Sequence, residues 1–307
     1  MNFSHLLRAM YFEPLSVEPS VFQAMHATIW PRIVGGHSLE NLELQAAGSG
    51  QNSKVYRNPY SSRRATQLFP SVDRMSGQVV NDEFFYRLEG KSNVAVIPIY
   101  GVLAKNAGLL QQVCMGFCDI NPIAHAVNQA AKAKDVSTIV LDIASPGGQV
   151  KGIRETASAV RAAAKTRGKT VYAFSDENMA SSAYYLGSQA NEIYVTPSAT
   201  VGSIGTYLAW LDPTMKLAME GLKLEFFGAG QHKGMGLPGK PLSEGDRVLL
   251  QATVDEFNGW FTSAVQGARP KVVNATMQGQ SFSGERAVGV RLADGICDTW
   301  DEFIDLL

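Results

Sequence analysis

Between residues 93 and 228, short β-branched runs alternate with stretches patterned for helix, and this constrains the fold of the 307-residue chain more than any other feature. "NVAVIPIYGVL" (93–103) has the apolar, β-branched make-up of a buried strand. "DINPIAHAVNQAAKA" (119–133) sets Ile123, Ala126, Val127 and Ala130 on one helical face, with Asn121 as N-cap and Pro122 at the first helical position. Further strands are expected at "STIVLDIA" (137–144), "TVYAFS" (170–175), "EIYVTP" (192–197) and "KLEFFG" (223–228). Helices are expected at 147–166, 180–190, 213–222 and 243–266. Strands that alternate with helices pair in parallel, because each helix carries the chain back across the sheet. The expected class is α/β, with right-handed crossovers and a mainly parallel sheet.

Composition removes several functional classes. The chain is 45% hydrophobic and 18% charged, enough to bury a sizeable core. Its formal net charge of −1 gives no basic footprint for nucleic acid. The one basic concentration, Lys54, Arg57, Arg63 and Arg64, falls in the polar, turn-rich stretch 48–65 and reads as part of a solvated linker. Residues 1–47 are mixed and proline-broken, with short helices expected. The expected division is an N-terminal extension over 1–90 and a second domain over 91–307. Three cysteines, Cys114, Cys118 and Cys297, do not make a disulfide framework and fit a reducing compartment. Cys114 and Cys118 are two ligands of the four that zinc needs, so no metal site is expected. Neither a signal peptide nor an apolar run of about 18 residues is visible, so a soluble, intracellular protein without a membrane anchor is expected. "RIVGG" (32–36) resembles the activation site of trypsin-like proteases, but the nucleophile loop and disulfides of that family are missing.

Three stretches could carry chemistry. "ASPGGQV" (144–150) follows a strand, and Gly147 and Gly148 leave backbone N–H groups uncovered at what reads as a helix N-terminus, with Ser145 as cap. Locally, a plain strand-to-helix turn explains it equally well. "ENMASSAYYLG" (177–187) offers Ser181 and Ser182 where a helix starts, a good place for a nucleophile, although both could simply cap and pack. A serine hydroxyl needs a base. "GAGQHKGMG" (228–236) offers two, His232 and Lys233, among glycines that let the backbone approach closely. Burial beside apolar groups such as Phe226, Phe227, Met235 and Leu237 would favour a neutral amine that accepts a proton.

In order along the chain, "VAVIPIYGVL", "ASPGGQV", "MASSAYYLG", "TPSATVGSIGTYL" and "GQHKG" resemble the signal peptide peptidase A family of Ser–Lys peptidases over about residues 92–300. Each motif is modest; five in sequence are specific. The resemblance implies a Clp protease/crotonase-like core of repeated β-β-α units. It also implies a serine endopeptidase with Ser181 as nucleophile and Lys233, 52 residues on, as general base. Backbone N–H groups of Gly147, Gly148 and Ser182 would form the oxyanion hole, and Gly202, Ser203 and Ile204 would line the substrate groove. No cofactor is needed. "SSAYY" stands where "SGGYY" is commoner, which sets Ser181 and Ser182 in competition as nucleophile. His232 has no role in the pattern.

The resemblance extends to the head maturation proteases of tailed phages and prophages (the lambda capsid protein C type), and "LLRAMYFEPLSVEP" is similar to their N-terminal stretch. It therefore implies a polypeptide substrate, either scaffold and capsid proteins or signal-peptide-like peptides. It also implies a homo-oligomer in which Ser181 and Lys233 meet across an interface, and a location in the host cytoplasm or inside the prohead. Because the chain ends soon after the matching region, a scaffold is expected as a separate product. The alternatives are a host cytoplasmic peptide-degrading protease, a crotonase-like acyl-CoA enzyme and an inactive structural head protein.

Overall fold

The computed structural model describes residues 13–17, 22–23, 71–72, 79–81, 83–107 and 116–307. The linker at 48–65 with its four basic residues, the "RIVGG" stretch and Cys114 lie outside the described residues, as do most of residues 1–47. The strands are β1 (Leu15–Val17), β2 (Ser71–Val72), β3 (Val79–Asn81), β4 (Tyr86–Leu88), β5 (Lys91–Tyr100), β6 (Val102–Ala104), β7 (Phe117–Asp119), β8 (Thr138–Ala144), β9 (Gly147–Gln149), β10 (Thr170–Ser175), β11 (Asn178–Ala180), β12 (Glu192–Val195), β13 (Thr200–Gly202), β14 (Ser281–Ser283) and β15 (Gly295–Ile296). The helices are α1 (Ile120–Lys132), α2 (Ile153–Lys165), α3 (Ser182–Gly187), α4 (Thr214–Met219), α5 (Glu244–Ala268), α6 (Gly284–Gly289) and α7 (Trp300–Asp305).

The central sheet has the order β15-β12-β10-β8-β5-β4, parallel except for the edge pair β4–β5. Period-two alternation sends its side chains to two cores. From β5 and β8, Ala95, Ile97, Ile99, Ile139, Leu141 and Ile143 enter the larger core with α1, α2 and α3. Val94, Val96 and Val140 enter a smaller one with Phe174 and Phe303, whose rings stack at 4.7 Å. Both faces are covered, so the strands read as unbroken apolar runs. Two smaller sheets, β1-β9-β6-β7 and β11-β13-β14, stand beside the central one. Each unit sends one strand to the central sheet, a second to a smaller sheet, and then a helix: β8-β9-α2 and β10-β11-α3. This is the repeated β-β-α arrangement in an α/β chain with a mainly parallel sheet.

Several sequence expectations need correction. The run 93–103 is two strands: Gly101, at φ +92°, breaks it, and β6 pairs in a different sheet from β5. A side chain at Gly101 would meet the Gly116 carbonyl, so only glycine allows that turn. Residues 147–149 form β9 and not the start of a helix. α2 begins at Ile153 after Gly152 as N-cap, and Ser145 does not cap it. Asn121 is not the cap of α1; Asp119 is, its carboxylate accepting from the Asn121 N–H at 3.1 Å. The expected strand at 223–228 is absent. Those residues are exposed and find no neighbouring strand among the described residues, and without partners strand propensity has nothing to express.

Candidate active site

Ser181 sits between β11 and α3, with φ 55° and ψ −125°. That is an unusual conformation for a residue with a side chain, and it persists only when its surroundings over-determine it. Here they do. Ser181 N–H donates to the Gly202 carbonyl at 2.7 Å, and its own carbonyl accepts from Tyr185 at 2.9 Å. Upstream, Ser145 N–H donates to Asn178 (2.7 Å) and Ala180 N–H donates to Ser145 (3.2 Å), so the end of β8 is stitched to β11. Downstream, α3 is fully buried. The Tyr184 hydroxyl donates to the Leu292 carbonyl at 2.9 Å, and Tyr185 stacks on Phe261 of α5 at 4.8 Å with rings 5° from parallel. Burial raises the pKa of both tyrosines.

Gly147 adjoins the serine. A side chain there would come 2.8 Å from Ser181 Cβ, and the residue holds φ +97°. Gly147 N–H makes a long bond to the buried Ser145 Oγ at 3.2 Å. Gly148 is required for another reason: a Cβ would lie 1.9 Å from the Leu103 carbonyl, so β9 and β6 approach as only glycine permits. Ser182 is the first residue of α3, where backbone N–H groups have no partner within the helix, and its hydroxyl lies 3.5 Å from the Gln149 carbonyl. The structure thus gathers Ser181, Ser182, Gly147 and Gly148.

Gly202, Ser203 and Ile204 are also close by, but buried. Gly202 holds the Ser181 N–H, while Ser203 N–H and the Ile204 carbonyl are bonded to Gln280 and Gly279. Past them, Gly205–Tyr207 supplies the backbone that faces β1.

Lys233 lies elsewhere. It is exposed, on a glycine-rich turn where its N–H donates to the Gly230 carbonyl at 3.0 Å. Within one chain its amine makes no hydrogen bond to Ser181. The apolar side chains expected around it do not enclose it. Phe227 is 90% exposed, and Phe226 packs on Gly228 and Gly234 under the Lys240 ammonium, 4.6 Å from its ring centre. His232 does have a partner. Its Nδ1 lies 2.7 Å from Asp246, which forms a reciprocal capping box with Ser243 at the start of α5. Hydrogen bonds from His232 and Ser243 hold the Asp246 carboxylate down at about 2. The capping box itself is legible as "SEGD" (243–246). Cys118 is buried, which pushes its thiol up to about 12 and leaves it protonated at neutral pH.

Residues 163–306 match the description of Peptidase family S49. The resemblance read from the sequence holds. Capsid assembly protease C of Escherichia phage lambda is 28% identical over 98% of this chain and 64% of its own length. Head-tail preconnector protein GP5 of Enterobacteria phage P21 is 25% identical over 98% of this chain and 56% of its own. The chain therefore spans less than two-thirds of the length of these relatives. Among solved structures, a ClpP1 mutant from Listeria monocytogenes superposes with a TM-score of 0.42 at 12% identity, covering 67% of this chain and 93% of that one. Among the described residues, no helix is long and apolar enough to cross a membrane.

Proposed function

We propose that this chain is a serine endopeptidase in which Ser181 attacks the peptide carbonyl. The carrying observation is the Ser181 conformation: a buried serine held at positive φ, with Gly147 against its Cβ and the first N–H of α3 beside it. A fixed serine among backbone donors suits an oxyanion that develops during acyl transfer. Lys233 takes the serine proton and returns it to the leaving amine; water then releases the acyl group. Gly147, Gly148 and Ser182 supply the oxyanion donors. Gly202, Ser203 and Ile204 back the substrate groove. Residues 91–307 form the peptidase domain, and 1–90 an extension to it.

The exposed position of Lys233 supports a homo-oligomer in which one copy brings its lysine to the serine of the next. The arm that carries Lys233 also exposes Met215, Met219, Leu222 and Phe227, an apolar surface that a second copy would cover. The two phage relatives, each aligned over 98% of the chain, support a scaffold or capsid polypeptide as substrate. The test is co-expression with the neighbouring capsid genes, mapping new termini by mass spectrometry, alongside labelling of the purified chain by a fluorophosphonate. The wild type should be labelled and should process the scaffold. Ser181→Ala should do neither, with activity down on the order of 10⁶-fold. Labelling that survives in Ser181→Ala would move the nucleophile to Ser182 or discard the reading.

A further inference from the structure

The segment Glu13–Val17 runs extended between β9 and Gly205–Tyr207. β1 pairs antiparallel with β9, Leu15 opposite Gln149, Ser16 opposite Gly148 and Val17 opposite Gly147. On its other edge, Leu15 N–H donates to the Tyr207 carbonyl at 2.8 Å, and Tyr207 N–H donates back at 2.9 Å. The Ser16 hydroxyl donates to the Gly205 carbonyl at 2.7 Å and lies 3.1 Å from Thr206 Oγ1. Glu13 pairs with Lys151 at 3.0 Å. β1 therefore fills the space between β9 and Gly205–Tyr207, and its three residues are 3–6% exposed. It also reaches the serine. The position a Gly147 side chain would take is 2.3 Å from the Ser16 carbonyl oxygen and 2.8 Å from Ser181 Cβ. Backbone pairing on both edges of an inserted strand is how a groove takes extended peptides independently of most of their sequence.

We propose that Glu13–Val17 is a built-in occupant of the peptide groove, which a polypeptide substrate must displace before it can reach Ser181. The groove's ligand class follows from this occupant: an extended segment with apolar side chains two apart, a small hydroxyl residue between them and an acidic residue ahead. The inference rests on the peptidase reading of the same site.

Two experiments on the full chain test it. The first locks the strand with a disulfide between Ser16→Cys and Thr206→Cys, positions whose hydroxyls already lie 3.1 Å apart. A competing internal strand lowers apparent affinity by the fraction of open groove, so locking should slow fluorophosphonate labelling and casein hydrolysis by about tenfold or more. Reductant should reverse the effect, and Ser16→Cys alone controls for the other thiols. An oxidised form as reactive as the reduced one overturns the proposal. The second uses fluorescein-labelled "FEPLSVEPS" (residues 12–20) and anisotropy, on Ser181→Ala backgrounds with and without Leu15→Asp. Leu15→Asp should bind the peptide more tightly than its parent. If a folded Leu15→Asp chain binds no better, the proposal falls; if that variant does not fold, the disulfide pair decides alone. Peptide binding without any labelling of the Ser181 chain would keep the occupied groove and discard the peptidase.

Discussion

The Ser181 elbow and the Lys233 turn differ in almost every physical respect. Ser181 is 1% exposed, has its backbone bonded to strand β13, and is followed by a helix buried on all sides. Lys233 is exposed on a turn with Gly230, Gly234 and Gly236 at positive φ, and the arm around it presents apolar side chains to solvent. One half of the proposed chemistry is finished within a single chain. The other sits on an exposed turn, tied to its surroundings by His232 at the capping box of α5 and by the Lys240 ammonium, which donates to the Lys233 carbonyl at 3.2 Å. A pre-organised nucleophile and an unsupported base fit a division of labour between copies. On the proposed reading, the fold fixes the serine by itself and a neighbouring copy would bury the lysine.

The largest effect that can break this comparison comes from Lys233→Met, which should cut hydrolysis by roughly 10²–10⁴-fold, the usual worth of a general base. His232→Ala should not approach that. Mixing inactive Ser181→Ala chains with inactive Lys233→Met chains sharpens the point. Recovered hydrolysis after co-refolding means that serine and lysine come from different copies, whereas continued silence places both in one. Next in size is Gly147→Ala. The added methyl would meet Ser16 and Ser181 at a left-handed backbone position, and strain of this kind costs about 1–3 kcal/mol. The melting temperature should fall by several degrees and labelling of Ser181 should slow. Wild-type values for both would mean that the elbow is softer than its geometry indicates.

Ser243→Ala is expected to be milder. It removes one half of the capping box and should cost about 1 kcal/mol, read as a lower urea midpoint with the Ser181 labelling rate nearly unchanged. The smallest effect is pH dependence at the same corner. Asp246 has its carboxyl lowered from 3.8 to about 2 by His232 and Ser243. Between these values the unfolded chain binds the extra proton, so this stabilisation is complete above about pH 4 and is lost as pH falls through about 2. The stability difference between wild type and Asp246→Asn should therefore shrink on acidification. A difference that stays constant from pH 5 to pH 2.5 would show that the His232 contact does not hold the turn.

The Ser181 side of the candidate site was legible because short-range chemistry carries it. The Ser181, Gly147 and Lys233 motifs stand in a recognisable order, and β8, β10 and β12 announce themselves through β-branched runs. β1 was less legible. "EPLSVEP" has period-two alternation between Pro14 and Pro19, but three residues are too few to separate a strand from a loop. Nothing local says that Leu15 will pair with Gln149 and Tyr207.

By itself, then, the sequence determined the α/β class, the mainly parallel sheet and the residues that could do chemistry. Each is recorded in side-chain periodicity or in a motif a few residues long. Tertiary structure alone decided that the apolar run at 93–103 splits at Gly101 into two sheets, and that 147–149 joins a strand instead of a helix. It also decided that "KLEFFG" joins no strand among the described residues and that Leu15–Val17 lies against Gly147. Those outcomes depend on which backbone edge is free when distant parts of the chain meet, and hydrogen-bond partners far apart in sequence leave no trace in local pattern.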